Sequence, residues 1–366
     1  MGLLKDFRLF LERRVNTIQK RRHVKNSDKT AAKKISCLSE KKELTKEQKN
    51  EIQAFYKRLT GKTVSPLWHQ YFYSRTGVYS KEYMPVGLYE SELLGRANRM
   101  DLYNAYVDKN LDELLLPSVK HPHTILKNVR GYYYFEGKPV SKDDAITMCQ
   151  NIENAVMKPS RAAIGYGVIG LSVKDGVTNM KGLSIGQLFD KYKEDFLIQE
   201  KLQQHERMSA LNPTSVNTIR ILTFRSGMEI LVVYTVVRIG RKGQVIDNQT
   251  AGGISAKINP DGKLCKYGFG RLGDDKLEKT DMGVVLEGYE IPSYTAAVET
   301  VKNLHYQLPL FDLVGWDIAI GIDGEPILIE WNGETGPSQT ACGTGFGELT
   351  ERIIKEVWPR KNTRYV

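Results

Sequence analysis

Apolar and polar positions change rhythm several times along the chain. Near its start Leu3, Leu4, Phe7, Leu11, Val15 and Ile18 recur every three or four residues, with Arg8, Arg13, Arg14 and the Lys20, Arg21, Arg22 run between and after them. That is the period of a helix with one apolar face. Two readings stay open for it: a basic amphipathic helix that lies on an anionic membrane or docks a partner, or a terminal helix packed on its own domain. Residues 25–49, lysine-rich with Ser, Thr and Glu interspersed, predict a linker or a solvated helix. Aromatic clusters at Trp68, Tyr71, Phe72, Tyr73, Tyr79 and Tyr83 predict core, followed by a helix-like stretch over 103–116. From 124 onward strand-like runs at 125–129, 132–135, 155–158, 171–174 and 196–199 alternate with helices starting at Asp143 and Ser184. Segments 219–224 and 228–239, joined across Ser226 and Gly227, predict an antiparallel hairpin. A second hairpin follows over 313–321 and 327–331, turning at Asp323 and Gly324. The expected class is α+β (α/β), with mixed and antiparallel sheets rather than one parallel sheet.

The 366 residues, 41% hydrophobic and 26% charged, suffice for a multi-lobed globular core. A formal charge of +10 suggests a polyanion binder until it is located. Residues 1–50 hold 15 Lys and Arg against 6 Asp and Glu, so of 53 basic and 43 acidic residues the remainder keeps 38 and 37. The basicity belongs to one tail, and nucleic acid is not an expected partner. Cys37, Cys149, Cys265 and Cys342 are scattered without CxxC spacing, which suits a reducing compartment. No apolar run nears the roughly 20 residues of a membrane span, and no secretory core is evident. The expectation is a cytoplasmic protein, with residues 1–25 able to touch the inner face of a membrane.

Candidate chemistry concentrates in the last hairpin. The turn brings Asp317 on the first strand toward Glu330 and Asn332 at the end of the second, and the latter two share a face. Two carboxylates and an amide oxygen suit Mg²⁺, which shares its shell with substrate phosphates. The other reading is the polar face of an exposed hairpin; against it, Ile318, Ile320, Ile327 and Ile329 make both strands half-buried. Lys158 ends a strand and opens a run punctuated by Gly165, Gly167 and Gly170, where a cation and backbone N–H groups can wrap phosphate. The run has neither GxxxxGK[ST] nor GxGxxG order, so a plain glycine-rich turn stays open. Arg220, inside an apolar strand, either faces solvent or enters a cleft to neutralise a transferring phosphate, and Arg238 is a candidate of the same kind. Asp247 and Asn248, before Gly252 and Gly253, make either an active-site loop or a turn.

These residues, in this order, resemble the ATP-grasp superfamily over residues 124–347. The resemblance implies two α+β lobes gripping ATP behind a helical, aromatic-rich N-terminal extension. Its divisions would be a basic tail at 1–50, an N-terminal domain at 51–123, a phosphate-loop lobe at 124–200 and a metal-bearing lobe at 201–366. It implies nucleotide contacts from Lys127, Lys158, Ser160 and Gly165, and an adenine hinge at Glu200, Lys201 and Leu202. His205 or Arg207 stands where many relatives place a ribose-binding acid, a departure from the pattern. Asp317, Glu330 and Asn332 would hold two Mg²⁺ ions, with Mn²⁺ able to substitute. Through Tyr83, Met84 and Pro85, Asp108 to Leu111, Asn217 to Arg220, and Asp247 with Gly252 and Gly253, the chain is similar to the sugar-transfer-associated and TupA-like branches, found in polysaccharide and capsule biosynthesis. The implied activity is carboxylate–amine ligation through an acyl phosphate. A uronic acid or glycan precursor would be joined to an amine or amino acid, with Lys158, Arg220 and Arg238 acting on the transferred group. Two alternatives are an ATP-grasp kinase acting on a hydroxyl and a basic-tailed nucleotide-binding interaction protein.

Overall fold

A computed structural model describes residues 2–161, 165–241, 243, 247, 252–270 and 276–364, the first of these through residue 13 as backbone only. Three helices open the chain: α1 (Gly2–Ser36), α2 (Lys46–Thr60) and α3 (Leu67–Thr76). At the start of α2 the Thr45 hydroxyl accepts from Gln48 N–H while the Gln48 side chain bonds back to Thr45 N–H, a reciprocal cap that satisfies two otherwise orphaned donors. The segment expected as a linker or solvated helix is instead the packed half of α1 as far as Ser36. Its Ala31, Ile35 and Leu38 are buried with Trp68, Tyr71, Phe72 and Tyr83, and Ser27 accepts from Trp68 Nε1 at 2.9 Å. At Ser27 and Ala31 the inner stripe is small, so a close helix approach is possible where few large apolar side chains advertise it.

The helix-like stretch over 103–116 is also broken, into Met100–Tyr106 and Asp112–Leu115. At the break the Asp108 carboxylate accepts from Asn110 N–H at 3.1 Å, a local side-chain bond that competes with helix continuation.

Two seven-stranded sheets follow. The first comprises β1 (Thr124–Val129), β2 (Tyr132–Phe135), β3 (Lys138–Val140), β4 (Ile152–Pro159), β5 (Ile169–Lys174), β6 (Val177–Thr178) and β7 (Phe196–Glu200), in the order β3-β2-β1-β7-β4-β5-β6. The second comprises β8 (Thr218–Ser226), β9 (Glu229–Ile239), β10 (Ile254–Ile258), β11 (Leu264–Phe269), β12 (Lys276–Leu277), β13 (Leu313–Ile320) and β14 (Pro326–Asn332), ordered β12-β11-β10-β9-β8-β13-β14. Every strand pair is antiparallel, and the class is the expected α+β.

The first sheet packs Leu126, Met157 and Ile198 against Ala145, Leu188 and Phe189 from the helices Lys142–Met148 and Ile185–Tyr192. The second is covered on both faces. Ile219 and Ile221 share a core with Ala297, Val301 and Leu304 of the helix Tyr294–His305. Leu222 and Phe224 lie with Ile52, Phe55 and Tyr56 of α2 and with Ile353, Ile354 and Val357 of the helix Thr350–Val357. Arg220, two positions before Leu222, therefore faces the side that these outer helices cover.

Two buried histidines are held neutral. His305 Nε2 lies 2.9 Å from the Phe311 carbonyl and Nδ1 lies 2.8 Å from Thr223 Oγ1, which itself receives Trp316 Nε1 at 2.7 Å. Burial pushes both His305 and His69 down to about 4 from an ordinary 6.5. Between these values the unfolded chain takes up protons that the native state refuses. Stability therefore falls as pH drops from 6.5 to 4, by roughly 3 kcal/mol per histidine at the lower limit. Guanidinium denaturation across this range measures the loss. Imidazole NMR identifies its source, since two of the six histidines are expected to stay neutral to near pH 4.

Candidate active site

The register of the second sheet sets Arg220 of β8 opposite Asp317 of β13, and Asp317 opposite Glu330 of β14. Directly opposed residues share a face, so one cation and two carboxylates lie in a row. Arg220 Nε and Nη2 donate to the two Asp317 oxygens at 2.6 Å each, and Nη1 donates to Thr335 Oγ1 at 2.9 Å. Gly315 makes room for this. A Cβ there would stand 2.7 Å from Thr335 Oγ1, so glycine lets residue 335 close over the strand and reach the guanidinium. Arg238 of β9 adds a donor to Asp317 at 3.3 Å. Burial alone would raise the Asp317 carboxyl, but Arg220 and Arg238 outweigh it and hold the group below the usual carboxylate range. Burial likewise works against the Arg220 charge, and Asp317 more than offsets it. Asn332 Nδ2 donates to Glu330 Oε1 at 3.3 Å, leaving its amide oxygen available.

The opposing wall belongs to the first sheet. Lys158 of β4 and Lys127 of β1 each stand opposite Leu197 of β7, so both project from one face with Leu197 between them. Lys158 is 9% exposed. Burial, reinforced by Lys109, pushes its ammonium down to about 8. Lys127 Nζ instead binds Glu113 at 2.7 Å and the Asn110 carbonyl at 3.3 Å. It thereby anchors the segment 108–113, which Lys109 N–H also ties to the Ser160 carbonyl at 3.0 Å. From that segment Lys109 Nζ reaches Glu330 at 3.2 Å, joining the two walls. Asp112 sits near Lys109 and Lys158, and burial pushes its carboxyl up to about 7 against their opposing pull.

Between the walls lies a cleft lined by Lys109, Lys158, Gly165, Glu200, Lys201, Leu202, Thr218, Arg238, Asp247, Asp317 and Glu330, among others. The glycine run bends sharply at its edge. Gly165 and Gly167 take φ of 72°, and a Cβ on Gly167 would meet Pro159 Cγ at 2.9 Å, so the run folds back on its own strand. Not every expected residue lines the cleft. Arg220 directs its donors to Asp317 and Thr335, and Lys127 to Glu113. Ser160 is fully buried, its hydroxyl without a partner among the described residues. His205 caps the helix Glu206–Leu211 by accepting from Arg207 N–H at 3.2 Å. Asp247 does line the cleft, accepting from Thr218 N–H at 3.1 Å and Oγ1 at 2.6 Å, and burial pushes it up to about 6. Asn248, singled out beside it, lies outside the described residues.

Lys109, Asp112 and Thr335 carried no assigned role in the sequence reading. Lys109 and Asp112 fall in or beside the Asp108 to Leu111 stretch already noted, and their signal is the polar interruption of an otherwise helical pattern.

Among the described residues no group of three or more His, Cys, Asp or Glu side chains is placed to hold a metal. The chain offers two carboxylates, Asp317 and Glu330, and the Asn332 amide. These are hard oxygen donors that leave much of an octahedral shell to phosphate and water, a set that fits Mg²⁺. A carboxylate has about four lone-pair sites, so Asp317 can keep its guanidinium and still face a cation.

Because Arg220 and Asp317 are 6% and 3% exposed, removing one partner strands a buried charge. Arg220→Met is expected to destabilise the fold by about 3–5 kcal/mol, and the double variant Arg220→Met/Asp317→Leu to recover most of it. Denaturant midpoints decide this; a single variant within about 1 kcal/mol of wild type would show that the pair does not hold the sheet.

The profile of the sugar-transfer associated ATP-grasp family matches residues 89–355. No curated protein matches the sequence. Solved structures with a similar fold include an L-amino acid ligase from Bacillus licheniformis, at 11% identity over 71% of this chain and 49% of that one, with a TM-score of 0.40. VanG D-Ala:D-Ser ligase from Enterococcus faecalis aligns at 12% identity over 71% and 62%, with a TM-score of 0.38. D-alanine-D-alanine ligase from Helicobacter pylori aligns at 16% over 70% and 59%, with a TM-score of 0.39. The alignments thus span 49% to 62% of those three chains. With the family profile running through both sheets and every charged residue of the cleft, the chain belongs to the sugar-transfer-associated ATP-grasp family.

Proposed function

We propose that this protein is an ATP- and Mg²⁺-dependent carboxylate–amine ligase that joins an amine or amino acid to a sugar carboxylate, such as a uronic acid of a surface glycan or its precursor. One observation carries the reading: a single cleft sets Lys158, Lys109 and a glycine loop on one wall against Asp317 and Glu330 on the other, with the Asn332 amide bonded to Glu330 behind them. The first wall suits phosphate oxygens, and the second suits the cation that accompanies them. The description of the family as sugar-transfer associated supports a glycan as the carboxylate substrate. All four cysteines are free, in keeping with a cytoplasmic setting.

In this reading the adenine lies along Glu200, Lys201 and Leu202, and Lys158 and Lys109 neutralise the phosphates. Mg²⁺, held by Asp317, Glu330 and Asn332, would supply charge neutralisation at the β- and γ-phosphates. A substrate carboxylate oxygen attacks the γ-phosphorus and ADP leaves, giving an acyl phosphate. The amine nitrogen then attacks the acyl carbon, inorganic phosphate leaves, and the amine gives up a proton as the amide forms. No protein nucleophile takes part, so rate enhancement comes from placement and electrostatics. Arg238 and Asp247, both lining the cleft near Asp317, are the groups placed to receive the acceptor. Arg220 is a positioning residue that acts through Asp317.

ADP release with ATP and Mg²⁺, screened against uronic acids, amino acids and amines singly and in pairs, tests the proposal. Release that needs both a carboxylate and an amine supports it, and Glu330→Gln should then lower turnover at least about 100-fold with an unchanged melting temperature. Release with a hydroxyl compound alone would identify a kinase. A second expectation concerns pH. Lys158, poised at about 8 in the free protein, carries its charge below that value and loses it above. ATP affinity should therefore weaken above pH 8, by up to about tenfold per unit, with proton uptake on binding. Calorimetry in buffers of different ionisation enthalpy measures both, and Lys158→Met should weaken binding and flatten the profile.

A further inference from the structure

The outer face of α1 has no role in the cleft chemistry. Val15, Ile18, Arg22, Lys25 and Lys29 follow one another at three- and four-residue steps, so they form one stripe along the helix. All five are exposed, Val15 at 50% and Ile18 at 54%. The opposite stripe is the packed one, where Ser27, Ala31 and Ile35 are buried. Arg14 and Arg21, also exposed, flank the outer stripe. No Asp or Glu occurs between Arg13 and Ser27, and none of Arg14, Arg21, Arg22, Lys25 or Lys29 forms an ion pair with a described residue. From Val15 to Lys29 the stripe runs about 21 Å at 1.5 Å per residue. In the sequence Leu4, Phe7 and Leu11 continue its spacing toward the N-terminus.

We infer that this face of α1 docks the protein on an anionic phospholipid surface, with Val15 and Ile18 entering the headgroup boundary and the basic residues meeting lipid phosphates. A uniformly polar basic stripe would suit any polyanion. Two large aliphatic residues exposed in line with the cations favour a bilayer, which rewards burial of apolar area as well as charge. No described helix is long and apolar enough to cross a membrane, so the contact would be interfacial. The inference stands apart from the ligase reading, because the stripe shares no residue with the cleft.

Flotation of the full chain with phosphatidylcholine vesicles, with and without 30 mol% phosphatidylglycerol (about one lipid in three, a strongly anionic surface), tests it. Binding is expected only to the anionic vesicles and should weaken as salt rises from about 0.1 to 0.5 M. Arg21→Glu/Arg22→Glu should weaken it by about tenfold or more, and Ile18→Asp should weaken it too, with melting temperature and ATP binding unchanged in both. Absence of binding to anionic vesicles at low salt would overturn the inference. So would equal binding by Ile18→Asp, or duplex DNA binding as tight as vesicle binding and unaffected by Ile18→Asp, either of which would reduce the face to a general polyanion site.

Discussion

Two carboxylates stand directly opposite one another on adjacent strands, and the rest of the site is arranged around tolerating them. Like charges in register across a sheet repel, and Asp317 is buried besides. Left alone, the pair would share a proton or push the strands apart. Arg220 neutralises Asp317 from the next strand through both of its oxygens, Arg238 approaches from the strand beyond, and Lys109 neutralises Glu330 from the facing wall. The cations differ in kind for a physical reason. The buried position takes arginine, whose fixed fork matches a carboxylate and whose charge survives desolvation. The facing wall presents Lys158 and Lys109, whose point charges are movable.

That arrangement ties distant parts of the chain to one function. Arg220 can be buried because Leu222 and Phe224, on the same face of β8, are roofed by α2 and by the helix Thr350–Val357. Thr335 reaches the guanidinium because Gly315 has no side chain to obstruct it. Asn98 reinforces the same corner, donating to the carbonyls of Leu313 and Gly333 at 2.8 and 2.6 Å. The outer helices are thus part of what holds the metal-ligand candidates in place.

Elements with a strong local period were legible in the sequence: both hairpins, β7, and the helices near 143 and 184 follow from apolar alternation and turn residues alone. The antiparallel register then brings Asp317, Glu330 and Asn332 together as their spacing implied. Two kinds of feature were not legible. The packed half of α1 hides among lysines because its buried face is Ser27 and Ala31, residues that make close contact without raising hydropathy. The break at Asp108 is a side-chain bond to the backbone, and it turns an apparent helix into the segment that delivers Lys109 and Asp112. Arg220 was visible as a charge in an apolar strand, expected to face solvent or the cleft; it does neither, because its partner is a cross-strand carboxylate 97 positions away. Contacts of that range leave no periodic trace.

The lysine pair on the first wall shows how the two sheets divide their labour. Lys127 and Lys158 flank Leu197 on one face, yet Lys127 is engaged by Glu113 while Lys158 has no ion-pair partner within 4 Å among the described residues and carries a depressed affinity for its proton. The difference comes from the 108–113 segment, which sends Glu113 to Lys127 and Lys109 across to Glu330. A polyphosphate entering the cleft with its cation would give Lys158 the counter-charge it lacks and relieve Glu330 of its reliance on Lys109.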